Sequence, residues 1–298
     1  MLSWDPRGAY ERVLPAGQIA TFLERVDFAG WNRLNDGGRP FAEAEQELIG
    51  RFPDDREAIL GYRTHFDATL TGMVPGTSGI LAELGQAGVR LFALTNWSAE
   101  TFPVAKERFG ILRRFEAIVV SGAERLLKPE PAFYQLALDR HGLSADSTVF
   151  VDDIPANVAA AATLGMTALN FTDAERLRAD LVRLGLLGEP EPIREPVFHV
   201  AERSTWAEAE TAGRYPWSSR GQGYEYEGFV HCSFAGQISG IVMNDYADLD
   251  PSELVVLEID RDRVPILVED LGHGPYPHCF AELKPADVLR THDLPLDQ

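Results

Sequence analysis

Three short stretches of this chain end in residues that could do chemistry together. "ALTN" closes on Thr95 and Asn96, "LLKPEPAFY" carries Lys128, and "FVDDIPANV" carries the adjacent acids Asp152 and Asp153. A hydroxyl beside an amide, an ammonium and two neighbouring carboxylates suit metal-assisted phosphoryl transfer. The carboxylates would hold Mg2+, a cation that takes oxygen ligands and keeps several of its waters. Lys128 and the Thr95 hydroxyl would hold phosphate oxygens, and Lys128 would offset charge on the attacking group. Each signal has a plainer alternative. Thr95 and Asn96 could cap a helix starting near Ser98, Lys128 could be a solvated loop lysine, and Asp152 with Asp153 could form a turn ahead of Pro155. Their joint occurrence, in this order and at successive strand ends, favours the chemical reading.

The elements that must position them are legible from hydrophobic periodicity. From Ala16 to about Leu70 apolar residues recur at three- and four-residue spacing, which predicts helices. Pro75-Gly76 ends that pattern. After it, helices ("TSGILAELGQAG", "SAETFPVAKERFG", "PEPAFYQLALDRHG", "PANVAAAATLG") alternate with strands ("VRLFALTN", "FEAIVVSG", "STVFVDD", "MTALNF"). Helices are expected to begin at Thr77, Ser98 or a proline and to close on Gly88, Gly110, Gly142 and Gly165. Continuously apolar strands linked by helices predict a doubly wound parallel α/β sheet, in which ligands bind at the carboxyl ends of the strands. A proline- and glutamate-rich passage, residues 188–195, reads as a linker. Beyond it, residues 196–298 read as a small α+β domain with short strands such as "VFHVA", "GFVHCS", "ELVVLEID" and "PILVED".

Composition narrows the function classes. The chain has 298 residues, room for two domains, and a net charge of −19, which disfavours general affinity for nucleic acid or an anionic membrane. A small phosphorylated substrate remains compatible, because a cationic pocket can sit in an acidic protein. The two cysteines, Cys232 and Cys279, form neither a disulfide framework nor a zinc signature. No apolar run reaches the length of a membrane span and no secretory signature opens the chain, so a cytoplasmic location is expected. The residues do not disclose the oligomeric state.

"LFALTNWS", "LLKPEPAFYQLAL" and "FVDDIPANVAAA" resemble the second, third and fourth motifs of the haloacid dehalogenase-like hydrolase superfamily. The resemblance covers residues 1–187, and the helical segment at about residues 10–72 looks like that superfamily's helical cap. It implies that Thr95 is the phosphate-binding hydroxyl, Asn96 its neighbour in the substrate pocket, and Lys128 the charge-neutralising lysine. Asp152 and Asp153 become the magnesium-holding acids, with Asp152 the direct ligand. The cap would select a small phosphorylated metabolite, with Arg33, Asn35 and Arg39 of "WNRLNDGGRP" the nearest polar residues.

One motif departs from the pattern. In that superfamily a strand ending in an aspartate, the covalent nucleophile, lies just upstream of the segment that "WDPRGAY" resembles, and only four residues precede Asp5 here. Asp5 is a poor substitute: it is followed by Pro6, and it reads as a cap for the next helix. Loss of the nucleophile removes nearly all of a covalent mechanism. Loss of a central strand also exposes two backbone ladders. The expectation is therefore a reading frame that extends upstream of Met1.

Residues 196–292 are similar to a bacterial domain family of unknown function, number 952, whose fold looks like that of ADP-ribosyltransferases. The resemblance implies that His199 could hold an NAD ribose, with His231 at a corresponding strand position; Ser233 and His278 are further polar candidates. Hydrogen-bonded core histidines are the alternative. Metal binding by His199, His231, His273 and His278 has no recognisable spacing. The reading that follows for the whole chain is a magnesium-dependent phosphatase. A metal-independent 2-haloacid dehalogenase and a non-catalytic nucleotide-binding protein are the alternatives.

Overall fold

The computed structural model describes residues 1–189, 192–272 and 274–295; part of the expected linker and His273 lie outside them. In chain order, β1 (Leu2–Trp4) leads into α1 (Arg7–Tyr10) and four helices, α2 (Ala16–Arg25), α3 (Phe28–Asp36), α4 (Phe41–Arg51) and α5 (Arg56–Thr64). β2 (Leu70–Met73) returns antiparallel to β1, pairing Leu2 with Met73. The five helices, the segment expected to be a cap, thus lie between two paired strands, and the chain passes on to the rest through β2. They bury an aromatic cluster around Tyr62, whose ring contacts those of Tyr10, Phe28, Trp31, Phe41 and Phe66 at centroid distances of 5.0–6.1 Å. Each such pair contributes about 0.5–1.5 kcal/mol beyond the area it buries.

The two ends of the helical segment close on each other tightly. Asp5 N–H donates to the Thr69 carbonyl at 2.8 Å, and Val74 N–H to that of Met1 at 2.7 Å. Gly8 lies so near the Ala68 carbonyl that a Cβ there would sit 2.0 Å from its oxygen, a position only glycine can take. Asp5 Oδ1 accepts the Arg7 N–H at 3.0 Å, the capping role expected of it.

Beyond the cap come α6 (Thr77–Gln86), β3 (Phe92–Thr95), α7 (Phe102–Arg108), β4 (Ala117–Val120), α8 (Ser121–Glu124) and α9 (Pro131–His141). β5 (Val149–Asp152), α10 (Pro155–Thr163), β6 (Thr167–Asn170) and α11 (Ala174–Arg183) complete this α/β part. β3 pairs in parallel with β4, and β5 with β6. Two details differ from the sequence reading. The helix expected from Ser98 begins at Phe102, because Ser98 Oγ accepts the Glu100 N–H and holds residues 98–101 as a turn. The parallel strands form two separate pairs, since no ladder joins β3 to β5 among the described residues. Their facing edges keep unpaired backbone groups, and Val151 at the centre of β5 is exposed.

The strand-rich second part comprises β7 (Phe198–Glu202), α12 (Arg203–Ala212), β8 (Trp217–Ser219), β9 (Gln222–Gly223), α13 (Tyr224–Glu227) and β10 (Val230–His231). It continues with α14 (Ile238–Asp245), β11 (Leu254–Ile259), β12 (Ile266–Asp270), β13 (Pro275–Cys279) and β14 (Val288–His292). It builds two three-stranded antiparallel sheets, β14-β11-β7 and β10-β13-β12. β11 is buried along its whole length, as its unbroken apolar run requires. No helix among the described residues is long and apolar enough to cross a membrane.

One arginine-carrying turn, Gly110–Arg114, faces this second part. Arg114 makes paired hydrogen bonds to Glu269 at 2.8 and 2.9 Å, and Arg113 donates to the Tyr226 hydroxyl. Ala82 packs with Phe229 and Phe280 in a small shared core.

Candidate active site

The α/β architecture brings three of the predicted groups to one end of the split sheet. Thr95 ends β3, Asp152 ends β5, and the loop before α9 delivers Lys128. Lys128 Nζ donates to Asp152 Oδ2 at 2.7 Å, with both side chains nearly buried. A buried ammonium and carboxylate offset part of each other's desolvation cost only when further hydrogen bonds complete them. Asp152 has them: its Oδ1 accepts the Ile154 N–H and the Asn157 Nδ2–H, each at 2.9 Å. The carboxylate is therefore held by three donors, while Asp153 beside it is exposed.

Asn96 does a different task from the one its neighbour Thr95 suggests. Its Oδ1 accepts the Lys128 backbone N–H at 2.8 Å and its Nδ2 donates to the Lys128 carbonyl at 3.0 Å. This reciprocal pair fixes the loop and aims the Lys128 stem. The same carbonyl accepts from Arg33 Nη1 at 3.4 Å, so Arg33 is the cap residue that reaches the site. Asn35 and Arg39 instead bind one another within the cap, Arg39 Nε donating to Asn35 Oδ1 at 3.1 Å. The Met1 amino nitrogen lies among these groups: burial lowers its proton affinity, against the pull of Asp153 and Asp152.

Several residues that the sequence reading passed over complete the arrangement. Asp36, at the end of α3, has its carboxyl pushed up to about 7, chiefly by burial, against a hydrogen bond from the Ser98 N–H and the charge of Arg33. Asn32 Nδ2 donates to Asp36 Oδ2 at 3.1 Å. Ser121 Oγ donates to the Asp36 carbonyl at 2.6 Å and accepts the Trp97 N–H at 2.8 Å, stitching cap to strand end. For Asn157 a signal was present: it follows Asp152 by five residues, in the first turn of α10, which turns its amide back to the carboxylate. For Asp36 none was, because its pairing depends on how the cap closes.

The donor set at the strand ends is all oxygen, with one carboxylate held rigid and one open beside it. That fits a hard divalent cation retaining several waters. No group of three or more His, Cys, Asp or Glu residues among those described forms a complete cage.

The second part offers a contrasting histidine cluster. His199 is 2% exposed. Its Nδ1 meets the His231 carbonyl at 2.7 Å and its Nε2 the Tyr215 hydroxyl at 3.0 Å. Burial pushes its pKa down to about 4, so the ring is neutral and both nitrogens are spent inside the fold. His231 stands 5.1 Å from His278, ring to ring, and burial followed by the nearby His278 and His199 lowers its pKa to about 4. His278 Nδ1 in turn contacts Glu269 Oε2 at 3.0 Å. Ser233 is buried and bridges to Phe198.

Comparison with known proteins agrees with this division. Residues 200–291 match a protein family of unknown function, DUF952. A sesquiterpene phosphatase, astK, of Aspergillus oryzae is 36% identical over 97 residues, 33% of this chain and 50% of that protein. Haloacetate dehalogenase H-2 of a Moraxella strain is 34% identical over 91 residues, 30% of this chain and 41% of its own length. A phosphoglycolate phosphatase of Cereibacter sphaeroides is 29% identical over 140 residues, 47% of this chain and 60% of that one. The chain thus spans about half the length of the curated relatives it matches. A had family enzyme from Bacteroides thetaiotaomicron shares the fold, with a TM-score of 0.50 at 16% identity, over 61% of this chain and 93% of that one. Residues 5–165, more than half of the sequence, match the haloacid dehalogenase-like hydrolases, and the chain belongs to that family.

Proposed function

We propose that the first part of the chain is a magnesium-dependent phosphatase acting on a small phosphorylated metabolite. The observation that carries this reading is the Lys128–Asp152 pair at 2.7 Å, set between Thr95 and the open Asp153 at the ends of facing strands. In it, the Thr95 hydroxyl and the Lys128 ammonium bind phosphate oxygens, and Asn96 keeps the Lys128 loop in register. Asp152, immobilised by the Ile154 N–H and Asn157, and Asp153 would hold Mg2+, which would neutralise charge on the transferring phosphoryl group. Arg33 lies at the cap side of the same opening, where a leaving group would sit.

The nucleophile belongs, in this reading, on a strand lying between β3 and β5. β3 and β5 each keep one unpaired edge, and a parallel strand bridging them would end between Thr95 and Asp152. The family likeness makes its last side chain an aspartate, which would form and then release an aspartyl phosphate. Metal-independent dehalogenation needs the same nucleophile, but it gives the Asp152–Asp153 pair no task. The test is p-nitrophenyl phosphate hydrolysis by the protein extended upstream of Met1, with and without Mg2+. Activity that chelation abolishes is expected. Equal hydrolysis of 2-chloropropionate with chelator present would overturn the metal role, and an in-frame stop directly before Met1 would overturn the upstream strand.

A further inference from the structure

The second part of the chain touches the first at the point where the cap is attached. α13 and the residue after it wedge between the crossing strand β2, the start of α6 and the turn after α7. Gly228, at φ +83°, is packed so closely that a Cβ there would lie 3.2 Å from Ile111 Cδ1, 3.3 Å from Met73 Sδ and 3.3 Å from Ser78 Cβ. Met73 is the last residue of β2. Arg108 then ties three elements together. One arm donates to the Asp67 carbonyl at 2.6 Å, in the turn by which the chain leaves the cap; the other donates to Glu225 Oε1 at 2.8 Å.

We propose that the strand-rich domain sets the angle of the cap, through Arg108 and the Gly228 wedge, and so governs access to the site at the strand ends. The helical cap passes into the rest through β2, with β1 paired alongside it, so a swing of the cap bends or frays this ribbon. β1 is short, three residues, and its register with β2 shifts between Ser3 and Trp4, so the ribbon is weak by itself. Anything gripping β2 and the turn before it restricts that motion. Arg108 is accordingly a positioning residue, acting through the Asp67 carbonyl and Glu225. The proposal rests on the cap-and-core architecture and not on the phosphatase reading, so either can fail alone.

The experiment uses the full chain and needs no turnover. Hydrogen exchange is followed at residues 69–74, together with the distance between nitroxides at Gln46→Cys on the cap and Gln135→Cys on the core; the native cysteines are buried. Glu225→Ala removes a partly exposed ion pair, so exchange there should quicken about two- to fivefold, with a broader cap–core distance distribution. Gly228→Val, which the tight packing and positive φ both oppose, should quicken it about tenfold or more. Gln86→Ala, which removes an interdomain hydrogen bond to the Val268 carbonyl (2.8 Å) away from β2 and α13, should leave both readouts unchanged. Unchanged exchange and distances in Glu225→Ala and Gly228→Val would overturn the proposal, as would a Gln86→Ala effect equal to theirs, which would make this ordinary domain docking.

Discussion

Two buried ion pairs, one within the first part of the molecule and one joining the two parts, look alike and do opposite things. Lys128–Asp152 and Arg114–Glu269 both sit within 2.9 Å and both lie mostly out of water. Around Glu269 every position is taken. Burial alone would raise its carboxyl, but the His278 and Arg114 hydrogen bonds outweigh it together and hold the pKa at about 2. Around Asp152 the arrangement stops short of closure: Asp153 beside it is exposed, and the Thr95 strand faces an unpaired edge. A closed network fixes how two domains meet. An open one with fixed charges is prepared for a ligand, because the protein has already met the cost of orienting them.

The sharpest way to test that contrast is to remove the cation from each. Lys128→Ala in the upstream-extended protein should lower kcat for phosphate ester hydrolysis by about a thousandfold while the melting temperature moves little, as expected for a group that stabilises developing charge. A loss of folding with kcat intact per folded molecule would make the pair structural and end the contrast. Arg114→Ala should do the reverse, costing about 3–5 kcal/mol of stability by leaving the buried Glu269 carboxylate with His278 as its one side-chain partner among the described residues. Denaturant unfolding measures this; a cost below 1 kcal/mol would show that the interface does not depend on the network.

The smallest effect concerns pH, where the two regions should have opposite slopes. Glu269 has a depressed folded pKa, so its contribution is present above the ordinary carboxylate value of 4.5 and is lost as pH falls toward about 2. Asp36 has a raised one. Its contribution is present below about 3.8 and is lost as pH rises through about 7, because the unfolded chain gives up that proton first. Asp36→Asn should therefore flatten stability between pH 5 and 8 and stabilise the protein at pH 8 by about 2 kcal/mol. Melting curves across that range check it, and an unchanged slope would assign the titration elsewhere.

How far the sequence reaches differs between the regions for a physical reason. Thr95, Lys128 and Asp152 were legible because strand ends and helix starts are local signals, and a parallel sheet brings successive strand ends to one side. Asn96 was read as the neighbour of Thr95 in a substrate pocket; in the structure it spends both amide atoms on the Lys128 backbone, a contact across 32 residues that spacing does not reveal. The split of the strands into two pairs was not legible, because each strand carries the same apolar pattern whether or not a neighbour pairs with it; the helix start at Phe102 was hidden by Ser98, which makes a turn instead of a cap. Arg114 and Glu269 stand 155 residues apart, and no periodicity links residues at that range. Nor could spacing reveal that His199 satisfies both ring nitrogens internally, since its partners Tyr215 and the His231 carbonyl come from different elements.

The hydrogen bond between Asp5 and Thr69 has a consequence for how such a chain can change over time. It makes the cap an excursion whose entry and exit coincide in space, so the closure cost of the intervening residues is met at a single point. Helices within the excursion can be lengthened or shortened away from Arg33 and Asp36, whose contacts with the Lys128 carbonyl and Ser121 tie α3 to the strand ends. Gly8, pressed against the Ala68 carbonyl, is barred from change by that geometry. The rest of the excursion can thus drift while Thr95, Lys128 and Asp152 keep their places.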